Sequence, residues 1–267
     1  MELITILLSG LLGLITPAGI LLDHTAENAI RSQLTSFEQL QVRVDNAPTH
    51  QLLQGKINQI RIAGRSLQLK RQDFRITALE LETDAIEFNF RNRKQRPLLK
   101  QPLQAGCRVV LTEADINELL QSEAFLARLR KLNITSAGTV NTAPEPVYRI
   151  ANPKVKFLAN QRIGFQVEIQ EENNTEPLLI KIETGIEIEA GRRLKLIHPV
   201  AKVNEEEVPT RFLNVIVNNL NQRLDLGNLE ADGLIMRILK FNMKANELEI
   251  GAFVRIEPSS KLLNVRL

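Results

Sequence analysis

The sequence has 267 residues, of which 43% are apolar and 24% are charged, which excludes a disordered chain and a membrane protein with many spans. Its formal net charge is +3, and it contains no Trp, one Tyr and a single cysteine, Cys107. The core must therefore be mainly Leu, Ile and Val, and an intramolecular disulfide is impossible. The length suffices for one domain with a substantial buried core.

The N-terminal segment is the most apolar part of the chain. Residues 3–22 carry no charge, and twenty residues at ~1.5 Å each would cross a hydrocarbon core as a helix. However, Glu2 stands where a secretory signal has a basic residue, and three glycines and Pro17 interrupt the segment. Three interpretations stay open: a membrane-inserted or interfacial segment, a buried helix, and a cleaved signal. We assign residues 1–24 to this membrane-associated or signal-like segment.

The first half of the chain alternates apolar and polar residues, a pattern typical of antiparallel strands with one wet face. The apolar positions are Val42 and Val44, Leu67 and Leu69, Leu79 and Leu81, Ile86, Phe88 and Phe90, and Val109 and Leu111. Residues 43–108 also contain 13 Lys and Arg against 6 Asp and Glu. This half is therefore expected to present a basic surface.

Residues 91–100 form the densest basic run, with Arg91, Arg93, Lys94, Arg96 and Lys100. This run is either a solvated loop or a contact for phosphates of lipid or nucleic acid. Nucleic acid is the weaker interpretation, because only two phenylalanines adjoin the run and single-strand binding usually adds stacking aromatics. We predict that these five residues contact lipid headgroups or a membrane surface.

Three helices are predicted. Residues 18–34 continue from the apolar segment, and residues 111–132 open with Thr112 and Asp115 at the spacing of a capping box. Residues 209–224 begin with Pro209, which suits a first helical turn, and repeat apolar residues on one face. Each helix needs an apolar partner, which the strands would supply.

The second half has the longest alternation in the chain, over residues 178–190. Thirteen residues would extend about 43 Å at ~3.3 Å per residue, more than twice the usual strand length. Shorter alternations occur at Val155 and Phe157 and from Ile163 to Ile169. Turn sequences predict hairpins near Gly191 and at residues 244–248.

The sequence contains no recognisable catalytic motif. His24, His50 and His198 lie far apart without metal-ligand spacing, and Cys107 has no neighbouring histidine, so a buried or half-buried thiol is expected. The motifs of acyl hydrolases, nucleotide and dinucleotide sites are all missing from the sequence. We predict that the protein is not an enzyme and that it uses no cofactor and no metal. The alternative of an enzyme would require a polar cluster assembled from distant segments.

These elements predict an α+β fold in which a long curved antiparallel sheet wraps amphipathic helices. No linker divides the chain, so residues 25–260 are expected to form a single domain. Such a sheet could enclose an aliphatic groove for acyl chains, or its interior could be packed solid. The residues expected to line a groove are Ile116, Leu119, Leu120, Ile180, Ile182, Ile186, Ile188, Leu213, Ile216 and Leu220.

Two short motifs carry a resemblance to a known family. Leu53, Gly55, Lys56 and Ile57 match a Leu-x-Gly-Lys-Ile segment, and Leu111 to Asn117 reads Leu-Thr-x-Ala-Asp-Ile-Asn at a helix start. With the preceding strand, these motifs resemble the LmeA-like phospholipid-binding family, a bacterial domain, over roughly residues 25–260. The resemblance implies a tubular lipid-binding fold like that of the bactericidal/permeability-increasing protein, and binding or transfer of phospholipid rather than catalysis.

We therefore expect a protein associated with a membrane of the cell envelope that binds or transfers phospholipid. The alternative is an envelope scaffold that holds a protein partner and has a solid core without a lipid ligand. Apart from the family, Thr112 and Asp115 are expected to cap a helix, Asn117 to bond in a turn, and Gly55 to permit a bulge or a close approach.

Overall fold

The computed structural model describes residues 28, 30–45, 55–70, 74–89, 98–130, 148–171, 177–209, 213, 217–218, 220–222 and 224–260. Most of these residues belong to antiparallel β-strands, as the alternating pattern predicts. The strands of the first half are β1 (Leu34–Ser36), β2 (Gln39–Asp45), β3 (Lys56–Ile57), β4 (Gln59–Leu69), β5 (Phe74–Thr83), β6 (Ile86–Asn89), β7 (Leu98–Leu99) and β8 (Leu103–Thr112). Those of the second half are β9 (Tyr148–Leu158), β10 (Arg162–Glu171), β11 (Leu178–Glu189), β12 (Arg193–Val203), β13 (Glu206–Glu207), β14 (Leu234–Met243) and β15 (Glu247–Ile256).

The larger sheet joins the two ends of the described chain. Its strand order is β1-β4-β5-β8-β15-β14, with β2 also paired to β4. The C-terminal hairpin of β14 and β15 thus docks on β8, and Glu247 to Ile256 pair in continuous register with Thr112 to Leu103. Because β15 is an inner strand of this sheet, the C-terminal hairpin is part of its framework and not an appendage.

The second sheet is built from one continuous stretch of chain, in the order β13-β12-β11-β10-β9. The predicted long strand is confirmed almost to the residue, since β11 runs from Leu178 to Glu189. The predicted hairpin near Gly191 is also confirmed: Ala190 and Gly191 both have positive φ, at 52° and 65°, and the Arg192 amide donates to the Glu189 carbonyl at 3.0 Å. Strand β12, which pairs with β11, has one extra residue in the stretch opposite Glu183 to Gly185. His198 lies in this stretch and has a φ of 48°. A third small sheet joins β3, β6 and β7.

The predicted helices need correction at their ends. The helix expected over residues 18–34 stops earlier, because Leu34 already pairs with Leu69 in the larger sheet; among its described positions, 28 and 30–32 are helical. The helix expected over residues 111–132 is two helices, α1 (Glu113–Gln121) and α2 (Glu123–Arg130). Ser122 separates them, since its hydroxyl donates to the Leu119 carbonyl at 2.8 Å and accepts from the Phe125 amide at 3.3 Å.

The third predicted helix, over residues 209–224, is described in part: positions 213, 217–218 and 220–222 are helical, whereas the described end positions 209 and 224 are not. It is followed by a 3-10 helix over Leu226–Asp232, which the sequence pattern did not predict. Asp225 caps this short helix by accepting from the Gly227 amide at 2.8 Å. Gly233 ends it in the left-handed region, with a φ of 76°.

The hydrophobic core lies under the larger sheet and reaches the nearer part of the second one. Phe74, Leu67 and Ile76 are fully buried, and α1 contributes Leu119 and Leu120 at 2% and 1% exposure. From the second sheet, Val155 and Phe157 belong to the same buried cluster. The core therefore unites the two sheets through α1 and β9.

Candidate functional site

One side of the second sheet is almost wholly aliphatic. The register places Phe165 opposite Val155 and Ile182, and Ile182 opposite Ala201, so these side chains share a face. We call this surface the aliphatic face. It comprises Ile150, Val155, Phe157, Ile163, Phe165, Val167, Ile169, Leu178, Ile180, Ile182, Ile186, Ile188, Leu194, Leu196, Ala201 and Val203.

Packing divides the aliphatic face into two halves. Phe157 belongs to the core, and Ile163, Phe165, Ile186, Ile188 and Leu194 pack against it. Ile150, opposite Ile169, and Leu196, opposite Ile186, are not among the side chains packed on the core. In the part of the chain that the structure describes, neither are those of the other half: Val167, Ile169, Leu178, Ile180, Ile182, Ala201 and Val203. We call this second set the distal half. Val167 and Ala201 are buried, Ile180 and Ile182 are half-buried, and Leu178 is 42% exposed.

The boundary between the halves is marked by Thr184. Its side chain is 4% exposed, and its hydroxyl donates to the carbonyls of Ile197 and Gly185, each at 3.0 Å. The hydroxyl is therefore satisfied by the backbone and adds no unpaired polar group to the face.

Helix α1 is fastened to the free edge of β9 by two side chains. The Asn117 amide nitrogen donates to the Val155 carbonyl at 2.9 Å, and its oxygen accepts from the Val155 amide at 2.7 Å. Two residues along β9, the Phe157 amide donates to the Glu113 carboxylate at 2.8 Å. These side chains take the positions that a neighbouring strand would occupy. We call Asn117 and Glu113 the β9 clamp; the expectation that Asn117 bonds in a local turn was wrong, because its partner lies 38 residues away.

Asp115 fixes the start of α1 to the larger sheet. The predicted capping box is confirmed: the Thr112 amide donates to the Asp115 carboxylate at 2.8 Å, and the Asp115 amide donates to the Thr112 hydroxyl at 3.1 Å. From β5, Arg75 Nε donates to the same carboxylate at 2.6 Å and the Thr77 hydroxyl also donates to it. Burial raises the pKa of Asp115, but the hydrogen bonds from Thr77, Thr112 and Arg75 together outweigh it and leave that pKa below its ordinary value.

The opposite edge of the second sheet meets the third helix. Asn221 accepts from the Leu196 amide at 2.9 Å, and the Leu224 carbonyl accepts from the Leu194 amide at 3.2 Å. The outer edge of β9 and the part of β12 that does not pair with β13 are thus held by residues that do not belong to strands, and in both places an asparagine side chain takes part. The aliphatic face lies between these two supports.

The predicted groove residues fall into three groups. Leu119 and Leu120 are core residues, and Ile116 is half-buried against the core, as are Ile186 and Ile188. Ile180 and Ile182 lie in the distal half. On the third helix, Leu213 is 5% exposed and Leu220 is 38% exposed, while Ile216 lies outside the described residues.

Four of the five predicted headgroup residues lie outside the described part of the chain. Arg91, Arg93, Lys94 and Arg96 are outside the described residues, and Lys100 is exposed just after β7. The Lys100 amide donates to the Glu87 carbonyl at 2.8 Å. Gly55 has a φ of 78° and precedes β3, and its carbonyl accepts from the Phe88 amide at 2.7 Å; it enables a turn before a strand.

The wet face of the larger sheet carries a charge ladder that the sequence did not reveal. Arg108 donates to Glu80 at 3.0 Å and to Glu249 at 2.6 Å, and Lys240 lies 2.9 Å from Glu249. Hydrogen bonds from Arg108 and Lys240 lower the pKa of Glu249 to about 2. A groove of about 890 Å³ on this face is lined by Glu80 and Arg108 of the ladder and by small residues such as Gly106 and Gly251. The charged side chains of the ladder pair with one another, so ion pairing on the sheet surface is a sufficient structural explanation for their presence.

The remaining titratable groups show no arrangement typical of catalysis. Cys107 is buried, as expected, and burial raises the pKa of its thiol. His198 is exposed on β12, while His24 and His50 lie outside the described residues. Among the described residues, no three His, Cys, Asp or Glu side chains come together as metal ligands. Within that same part of the chain, no helix has the length and apolar character needed to cross a bilayer.

Comparison with known proteins agrees with the resemblance seen in the sequence. A family model described as LmeA-like phospholipid-binding matches residues 14–253 of the chain. No curated protein and no solved structure matches it. Because the family model covers most of the sequence, the chain belongs to the LmeA-like phospholipid-binding family.

Proposed function

We propose that this protein binds phospholipid without catalysing a reaction, by holding acyl chains on the distal half of the aliphatic face. The observation that carries the proposal is the separation of that half from the core. Seven aliphatic side chains on three adjacent strands share one side of the sheet. In the described part of the chain, none of the seven is among the side chains packed on the core. A surface of this composition suits hydrocarbon, because each methylene removed from water contributes roughly 0.8 kcal/mol.

The surroundings of the face support a groove. The β9 clamp places α1 along one edge of the sheet, and Asn221 ties the third helix to the other. An aliphatic floor between two helices is the arrangement expected of a sheet that wraps helices. The tubular architecture implied by the family resemblance is part of this proposal.

Membrane association follows from the family, and its details are proposals. We assign contact with lipid headgroups to Arg91, Arg93, Lys94, Arg96 and Lys100, because cationic side chains attract phosphates at a membrane surface. Residues 3–22 would act as a second attachment to the membrane. The cell envelope is the proposed location, and transfer of lipid between membranes is the proposed activity.

The proposal is tested by native mass spectrometry of protein purified under mild conditions, followed by organic extraction. We expect phospholipid at about one or a few molecules per chain. A matched pair of variants then locates the site: Ile182→Asn in the distal half and Val200→Asn on the opposite, wet side, where Val200 is 46% exposed. Ile182→Asn should lower retained lipid at least tenfold, and Val200→Asn should not. Equal lipid retention by both folded variants would move the site elsewhere.

One observation favours the alternative of an envelope scaffold without a lipid ligand. Val167 and Ala201 are buried at 7% and 3% exposure although they lie in the distal half, which is also what a solid interior would produce. A lipid-free mass, with no uptake from phospholipid vesicles and a stoichiometric protein partner in the same preparation, would favour the scaffold.

A further inference from the structure

Strand β2 forms a long edge of the larger sheet. Its seven residues pair with β4 in one unbroken register. In the described part of the chain, no strand pairs with its outer side and no backbone hydrogen bond reaches it there. By contrast, the edge of β9 meets the β9 clamp, that of β12 meets Asn221, and that of β14 meets the Gly191 carbonyl. The outer edge of β2 therefore still offers a row of backbone donors and acceptors to a partner.

The backbone groups that point outward can be identified from β4. The Ile60 amide donates to the Thr83 hydroxyl of β5 at 3.0 Å, so it faces β5 and not β2. Because amides alternate along a strand, those of the odd-numbered β4 residues face β2 and bond with its odd-numbered residues. The amides and carbonyls of Leu40, Val42 and Val44 therefore point to the outer edge.

This edge lacks the features with which strands usually resist pairing. Natural edges carry prolines, lysines or bulges, whereas β2 reads Gln-Leu-Gln-Val-Arg-Val-Asp and has no register shift. Its two charged residues, Arg43 and Asp45, pair with each other at 2.6 Å. On the inner side, Val42 and Val44 pack against the core but are only half-buried. An added strand would therefore cover apolar surface as well as bond with the backbone.

The outward-pointing residues of β2 are complementary to a second copy of the same strand. When two such edges run antiparallel about Val42, Val42 meets the copy's Val42 and Leu40 meets the copy's Val44. All three outward-pointing residues then pair, and each pair exchanges two backbone hydrogen bonds, or about six in all. The apolar side chains of the two strands also lie together on the inner side.

The exposed side of β2 is complementary in the same register. Gln41 then lies opposite the copy's Arg43, and Gln39 lies opposite the copy's Asp45. No two like charges oppose each other, although directly opposed like charges are what would destabilise a pair of strands.

We propose that β2 is the docking edge for a second copy of this chain, with the two β2 strands paired antiparallel about a twofold axis at Val42. The larger sheet of one copy continues into that of the other. The match of β2 to itself favours a second copy over an extended segment of another protein. The dimer does not depend on lipid binding.

Sedimentation of the full chain over a range of concentrations tests the association, and we expect reversible dimers. Val42→Pro removes an outward amide but keeps the bonds to β4, since an edge strand tolerates proline whose nitrogen faces outward. It should raise the dimer dissociation constant at least about tenfold. Val42→Thr, which keeps the amide and the branched shape, should stay within about threefold of wild type. A wild-type chain that remains monomeric, or equally stable dimers of folded Val42→Pro, would overturn the proposal.

Disulfide cross-linking tests the register and does not depend on the proline variant. In the proposed dimer, Gln41→Cys of one copy and Arg43→Cys of the other have Cα atoms about 4.5 Å apart, within reach of a disulfide. Two copies of the same variant are offset by two residues, or about 8 Å, which is beyond that reach. The natural Cys107 is buried. Oxidation should therefore cross-link a mixture of the two variants faster than either variant alone, and equal rates would contradict pairing about Val42.

Discussion

Replacing Asn117 by leucine removes the main contact of the β9 clamp. The native amide makes two hydrogen bonds to the Val155 peptide, at 2.9 and 2.7 Å, and leucine can make neither. It also blocks water from reaching the peptide, so both backbone groups of Val155 lose their partners at about 1–2 kcal/mol each. We expect the free energy of unfolding to fall by about 2–4 kcal/mol, measured by urea denaturation.

Ala114→Leu is the matched control, because Ala114 is exposed on the same helix and its change should stay within about 0.5 kcal/mol. Hydrogen exchange adds a local measurement, since the Val155 amide should exchange faster in Asn117→Leu than in the control. A free energy of unfolding equal to that of the control, together with an unchanged exchange rate at Val155, would refute the clamp.

Asn117→Asp extends the test through pH. An ionised aspartate accepts from the Val155 amide but faces the Val155 carbonyl without a proton to donate, so the folded state favours the protonated acid and raises its pKa. With the folded pKa above the unfolded value of about 3.9, the protonated acid adds stability below that value, and this stability is lost as pH rises through the folded pKa. Relative to wild type, Asn117→Asp should therefore be least stable at neutral pH and recover in mild acid.

Three further predictions follow from the described contacts. The pKa of Asp115 is lowered in the folded state, so its contribution to stability is complete at neutral pH and is lost as pH falls below about 4 through the folded value; acid denaturation should be shallower in Asp115→Asn than in wild type. Carboxyl NMR should show Glu249 titrating at about 2, and Arg108→Gln should move this midpoint upward, while an unmoved midpoint would contradict the ladder. Gly191→Ala should lower the free energy of unfolding by about 1–2 kcal/mol, because its φ of 65° is costly for alanine; Gly106→Ala, whose Cβ would meet nothing within 4 Å, is the control and should leave thermal stability nearly unchanged.

Sequence patterns predicted the elements whose signal is local. Alternation over residues 178–190 predicted β11, and the turn at residues 244–248 predicted the β14–β15 hairpin, which closes with a hydrogen bond from the Lys244 amide to the Glu247 carbonyl at 2.8 Å. The capping box of α1 was read correctly for the same reason, since Thr112 and Asp115 are three residues apart. The break between α1 and α2 had a local signal as well, in the serine at position 122, and was missed because apolar periodicity continues across it.

The site depended on long-range pairing, which no local pattern contains. The contact between Asn117 and Val155 can be recognised only when β9 is known to lie beside α1. The contact between Arg75 and Asp115 likewise requires β5 to lie beneath the same helix. Alternation placed Ile182 and Ile186 on one face but could not distinguish them. Only the packing shows that Ile186 contacts the core, whereas Ile182 is not among the side chains packed on it. The family resemblance predicted the ligand class, whereas the division of the aliphatic face came from the structure.

The β9 clamp has a further consequence for the behaviour of the protein in concentrated solution. The edge of β9 is occupied by Asn117 and Glu113, and that of β12 by Asn221 and Leu224. On β14, the Ile238 amide donates to the Gly191 carbonyl at 2.6 Å. Unpaired edges are templates on which other chains add strands and aggregate. In this protein the side chains of Asn117, Glu113 and Asn221 occupy positions from which such growth would start.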